Sequence, residues 1–142
     1  MGFVPYKVDP KYRISIPPEW RPGCGKPLIL MFARRHELPV VKVFSEDLYK
    51  EKEARVQNSD KTPKEKGRYL ERLAMLSRKA SFNEQSKLLI PKDLSEHAGI
   101  EAEGEVVLAG RSSYFEIWSR KHFPEVLRIE TSEEFDDDLD IF

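Results

Sequence analysis

Cysteine occurs once in this chain of 142 residues, at Cys24, so no internal disulfide is possible and packing must hold the fold. The three histidines, His36, His97 and His122, share no ligand spacing with Cys24 or with each other. Neither a zinc site nor a Cys-His nucleophile is indicated. Glycine is scarce, with seven residues, and no phosphate loop of the form GxxxxGK[ST] is present. Gly23-Cys24-Gly25-Lys26 is too short to be one. Carboxylates fall in exposed runs rather than in pairs, so the expectation is no catalysis, no metal, no cofactor and no small-molecule substrate. There is no run of 18 apolar residues, and MGFVPYKVDP lacks the apolar stretch of a signal peptide. A soluble, cytoplasmic protein is expected, with no membrane partner.

Charge, by contrast, is plentiful: 35% of residues are Asp, Glu, Lys or Arg, and the formal net charge is -1. It is unevenly placed. Residues 130–142, ETSEEFDDDLDIF, carry seven acids and no base, which leaves 18 of the 25 acids for residues 1–129 against all 24 Lys and Arg, a net of +6. Basic clusters gather at Lys7, Lys11, Arg13, Arg21, Lys26, Arg34 and Arg35, and again from Lys61 to Lys79. Such clusters attract polyanions by releasing condensed counterions, although a solvated charged face is the commoner outcome.

The chain also repeats itself. DPKYRISIPPEW at 9–20 returns as NEQSKLLIPKDL at 83–94, and at the same displacement of 74 positions Val41-Lys42-Val43-Phe44-Ser45 meets Phe115-Glu116-Ile117-Trp118-Ser119. Two copies are too few for a solenoid, so they read as two half-domains around one core.

Period-two alternation predicts a strand at 13–16, which Pro17-Pro18 stops. A short helical turn follows at 19–21, then strands at 28–32 and 39–44 separated by the polar loop 33–38. Ser45 caps a helix over 46–57. Thr62-Pro63-Lys64-Glu65 is a capping box that opens a connecting helix over 62–79, with Leu70, Leu73, Ala74 and Ser77 on one stripe. The second half repeats the scheme: strand 87–90, helix 91–98 closed by Gly99, strands 105–108 and 114–118, and a helix over 120–128 capped by Ser119. Three short strands make little core alone. The predicted fold is therefore mixed, mainly β with helices: two β-α-β-β-α repeats interlocked into a pseudo-two-fold β-barrel. It forms one domain over 1–129, from half-repeats 3–57 and 80–128 joined by the helix 62–79. An acidic tail, 130–142, is expected to be flexible.

Asp9-Pro10-Lys11-Tyr12-Arg13-Ile14-Ser15-Ile16-Pro17, Leu88-Leu89-Ile90-Pro91, LSEHAG at 94–99 and Val106-Val107-Leu108-Ala109-Gly110 with Phe115-Glu116-Ile117-Trp118 resemble, in that order, the MraZ family over about residues 3–128. These are bacterial transcriptional regulators of the division and cell wall gene cluster, related to the AbrB-like swapped-hairpin (double-split barrel) fold. The resemblance implies a barrel built from two D-x-x-x-R motifs, homo-oligomeric rings, binding to short direct repeats in double-stranded promoter DNA, and association with the nucleoid. In the first motif the signature lands on Asp9, Lys11 and Arg13. Two departures stand out: Tyr12 replaces the usual glycine before the arginine, and the second motif reads Asn83-Glu84-Gln85-Ser86-Lys87. A lysine at 87 offers a point charge where arginine offers a rigid fork.

DNA contacts are accordingly expected from Lys11, Arg13, Ser15, Arg34, Arg35 and Lys87, with Asp9, Tyr12 and Asn83 shaping the turns. The competing reading of Arg13 is an ion pair with Asp9 that fixes the turn. Trp20, Phe115 and Trp118 read as core or subunit interface rather than as base-stacking platforms. The rival function is a ring-forming scaffold or protein-binding module that has lost DNA recognition, suggested by the altered second motif and the acidic tail.

Overall fold

The computed structural model describes residues 1–23 and 25–142; Cys24 lies outside the described residues. The chain runs β1 (Phe3–Lys7), β2 (Arg13–Ser15), a 3-10 turn (Pro18–Trp20), β3 (Leu28–Arg35), β4 (Leu38–Ser45), α1 (Glu46–Gln57) and α2 (Pro63–Met75). It continues β5 (Ser77–Ala80), β6 (Lys87–Leu89), α3 (Lys92–Ala98), β7 (Glu105–Gly110), β8 (Phe115–Ser119) and α4 (Phe123–Glu130). The fold is mixed and mainly β.

Six strands form one antiparallel sheet in the order β1-β7-β8-β4-β3-β5, and β2 pairs with β6 in a separate two-stranded ribbon. The halves exchange strands: β1, which opens the first half, pairs with β7 of the second, and β5, which opens the second, pairs with β3 of the first. The swapped-hairpin arrangement is thus present, and its symmetry is visible in the register. A displacement of 74 carries Ile14 onto Leu88 and Lys42 onto Glu116, and each of these residues lies directly opposite its own counterpart in the ladder. A pseudo-two-fold axis therefore passes through both pairs.

The main core lies between the inner face of the sheet and the ribbon. Leu30, Val41, Val43, Val106, Leu108 and Ile117 on the sheet meet Ile14, Ile16, Leu88 and Ile90 from and beside the ribbon, with Leu94 and Ala98 of α3 in the same cluster. A smaller cluster on the outer face packs Val40, Ala109 and Trp118 against Phe123 and Val126 of α4. The aromatic residues behave as expected: Trp118 and Phe115 are buried, and Trp20 packs on the Phe115 ring at 5.4 Å.

Several local details depart from expectation. The hydrogen-bonded ladder does not close into a barrel among the described residues: β1 and β5 are its edges, and side-chain packing onto the ribbon encloses the core. Each repeat also carries an additional leading strand, β1 or β5. The polar loop 33–38 shrinks to the two-residue turn His36-Glu37, both at positive φ (54° and 65°), so β3 and β4 extend almost to meet. The connecting helix ends at Met75 rather than at residue 79, because Ser77–Ala80 is recruited to the edge of β3. At the end of the chain, Ser119 does accept a bond from the His122 N–H, but α4 starts only at Phe123, where Pro124 sets the first turn.

The caps of the first two helices follow their sequence signals. Ser45 accepts from the Leu48 N–H at 3.1 Å, and Thr62 and Glu65 exchange both capping-box bonds at 3.2 Å. Neither α1 nor α2 buries a residue fully, so this helical pair lies lightly on the outer face of the sheet.

Candidate nucleic-acid interface

The two repeated motifs build the same turn. Asp9 Oδ1 accepts from the backbone N–H of Lys11 and of Arg13, both at 2.8 Å. Asn83 Oδ1 accepts from Gln85 at 3.0 Å and Lys87 at 2.9 Å in the same pattern. Backbone bonds agree as well: Tyr12 donates to the Asp9 carbonyl and Ser86 to that of Asn83. The residue before the cation is left-handed in both, φ 62° at Tyr12 and φ 58° at Ser86. Tyrosine therefore occupies the glycine position without changing the turn, and its ring leans on the main core. An asparagine oxygen replaces the aspartate because the turn needs an acceptor, not a charge.

These turns lead into β2 and β6, where Ile14 and Leu88 point into the core. Period-two alternation then turns Arg13, Ser15, Lys87 and Leu89 outward on one face, with Arg13 opposite Leu89 and Ser15 opposite Lys87. Lys11 is exposed at the first turn. Arg13 Nε donates to Asp9 Oδ2 at 2.9 Å, and its side chain keeps 31% of its surface in solvent. The ion pair with Asp9 thus exists, yet it engages only Nε among the described residues. Burial pushes the Asp9 carboxyl up, but the bonds from the Arg13 and Lys11 N–H groups and from the Arg13 guanidinium outweigh it and hold the pKa below its ordinary value.

Arg34 and Arg35 lie elsewhere. Arg34 is exposed at the end of β3 and donates to the Glu37 carbonyl. Arg35 Nε binds Glu116 Oε2 at 2.9 Å and its Nη2 binds the Tyr114 hydroxyl at 2.9 Å. Glu116 is fully buried and also accepts from Arg111 Nε at 2.8 Å and Trp118 Nε1 at 3.1 Å. Arg111 in turn clamps Glu130 through both Nη atoms, at 2.5 and 2.7 Å, and His36 Nε2 adds a contact at 3.0 Å. Chiefly through Arg111, this holds the Glu130 carboxyl down to about 2. Arg35 is thus a member of a charge network that ties the β3–β4 hairpin to β8 and α4, on the sheet face opposite the core.

A second cationic feature is assembled from residues far apart in the sequence, Arg34 and Arg72 coming from its two basic clusters. A groove of about 420 Å³ between α1, α2 and the outer face of β3 and β4 is lined by Arg34, Lys42, Lys52, Arg55 and Arg72, with no acidic residue in its wall. Lys42 titrates below its ordinary value through burial and then the nearby Arg35, and Lys52 does so through burial and then Lys42 and Arg55.

Sequence comparison agrees with this architecture. A family model described as "MraZ protein, putative antitoxin-like" matches residues 77–140, beginning at β5, where the second half of the fold opens. The chain is similar to a protein of Thermus thermophilus named "Transcriptional regulator MraZ", at 30% identity over 122 residues, which covers 86% of this chain and 83% of the relative. It is similar to the proteins of the same name from Thermoanaerobacter sp. X514, at 29% identity covering 88% of this chain and 84% of the relative, and from Leuconostoc citreum KM20, at 28% covering 96% and 92%. With both repeats, the exchanged strands and near full-length similarity in hand, this chain belongs to the MraZ family.

Proposed function

We propose that this protein is a DNA-binding transcriptional regulator that reads promoter DNA through the outward face of the β2–β6 ribbon. One observation carries the reading: the two repeated turns flank a single outward face on which Lys11 is exposed and Arg13, Ser15 and Lys87 are half-buried, and a two-stranded ribbon is of a size to enter a major groove. Arg13 is suited to two tasks at once. With Nε on Asp9 its terminal nitrogens remain to grip a phosphate or a guanine edge, and Asp9 fixes where they point. Lys87 supplies charge without the fork, so phosphate contact is its part.

One such face carries few contacts and would bind weakly. Several subunits joined in a ring would engage successive direct repeats and raise the effective affinity, with register between subunits adding to specificity. The division and cell wall gene cluster is the target we assign, on the resemblance set out above. The scaffold reading is favoured by one specific fact, that Arg35 is already committed to Glu116. Salt and substitution separate the two. Gel shift and fluorescence anisotropy on the promoter fragment, with size exclusion as the assembly control, test both. Arg13→Ala is expected to abolish specific binding with the oligomer intact, while Lys87→Ala lowers the slope of log K against log salt by about 1. No retention on DNA at low salt, or a shift unchanged by Arg13→Ala, overturns the proposal.

A further inference from the structure

The groove between α1 and α2 lies apart from the ribbon and does not enter the reading above. A run of surface cations is commonly no more than a solvated face. Four features set this one apart. It is concave; its wall holds five cations and, among the described residues, no acid; two of its lysines titrate below their ordinary value through burial and neighbouring positive charge; and Tyr69 and Leu73 add apolar surface. None of the five cations makes an ion pair among the described residues. The positive charge is only partly answered: Glu116, opposite Lys42, acts on that lysine but is already bound by Arg35 and Arg111, so a partner with both negative charge and apolar side chains would match the wall.

The same chain carries such a partner. Residues 136–142, DDDLDIF, combine four acids with three apolar side chains, and Leu139, Ile141 and Phe142 are exposed to 80%, 66% and 98%. Their point of departure is close by. Glu130 is pinned by Arg111 and His36, and the Phe135 ring packs edge-on to His36 at 5.9 Å. His36 lies two positions beyond Arg34, which lines the groove. Lys42, at the groove floor, stands opposite Glu116, which holds the same Arg111. In the structure these residues turn on Asp137, which accepts from the Ile141 and Phe142 N–H groups; docking opens that exposed turn, and the seven residues beyond Phe135, once extended, span up to roughly 25 Å, ample for a short return path across one face of the sheet.

We propose that the groove lined by Arg34, Lys42, Lys52, Arg55 and Arg72 is a docking site for an acidic peptide, and that its occupant is residues 136–142 of the same chain, folded back across the sheet. The carboxylates neutralise the cationic wall while Leu139, Ile141 and Phe142 cover Tyr69 and Leu73. Bound in this way, the segment returns the ammonium groups of Lys42 and Lys52 toward their ordinary basicity.

The test places a photo-crosslinking benzoylphenylalanine at Phe142 of the full chain and maps the products by mass spectrometry. The expected products join position 142 to Met31, Tyr69 or Leu73. Lys52→Glu combined with Arg72→Glu should lower their yield about tenfold, as loss and reversal of a few exposed charge pairs would. Replacing Asp136, Asp137, Asp138 and Asp140 with Asn, which leaves the folded body untouched, should do the same. Crosslinks that fall elsewhere, or that ignore both sets of substitutions, overturn the site. Products joining heavy and light chains in an isotopically mixed sample overturn the intramolecular route.

Discussion

Removing the Glu116 carboxylate gives a sharp test of the fold, because that side chain is fully buried and answers three donors. In Glu116→Ala, Arg111 keeps Glu130, so Arg35 is the cation left without its partner. Breaking a buried pair costs about 3–5 kcal/mol, and Arg35, 28% exposed, can turn partly to water, which favours the lower figure. The Trp118 indole N–H also loses its acceptor, at about 1–3 kcal/mol if it stays dry. The two losses share one site and do not simply add, so we expect about 4 kcal/mol, or roughly 10–15 °C in Tm for a chain of this length. Glu116→Gln retains an acceptor for Trp118 and loses only the charge, for about 2 kcal/mol. Urea unfolding followed by far-UV circular dichroism measures both. A loss below about 1 kcal/mol in the alanine variant, or equal losses in the two variants, would refute the buried three-donor arrangement. Glu116→Leu with Arg35→Met should recover part of the loss, since apolar groups replace a buried pair at little cost.

Two further outcomes follow from local geometry. Glu130 has its folded pKa depressed from 4.5 to about 2, so the stability it contributes is fully present above pH 4.5 and is lost as pH falls toward 2; urea midpoints across that window should fall, and Glu130→Gln should flatten the slope. Ser86 is held left-handed at φ 58°, so Ser86→Gly should gain up to about 1 kcal/mol in the same assay, whereas Ser86→Val should lose about 1–2 kcal/mol.

The sequence disclosed what is local or repeated. The duplication, the caps at Ser45 and Thr62, the left-handed Gly99 and the alternation in β2 were all legible, because each depends on a few adjacent residues. Both edge strands were missed for one reason: an edge need not look like a strand. Pro5 sits in the middle of β1 and Ser77-Arg78-Lys79-Ala80 of β5 has no apolar alternation, patterns tolerated only where one side of the ladder is unpaired. Of the candidate DNA contacts, Lys11, Arg13, Ser15 and Lys87 are gathered by the ribbon, while Arg34 and Arg35 diverge to the groove and to the charge network. Lys42, Lys52 and Arg55 carry no joint signal in the sequence, because they come from a strand and a helix with no common period. Only the packing of α1 and α2 onto the sheet makes them neighbours.

The Lys42–Glu116 pair on the symmetry axis bears on how the two halves depend on one another. Suppose the chain were divided and each piece tried to dimerise with itself in the same geometry. The first would set ammonium against ammonium at the axis, and the second would bury two carboxylates face to face, arrangements that penalise self-association. Joined as unlike twins they meet with opposite sign, so this position favours pairing of the two different halves over pairing of like copies.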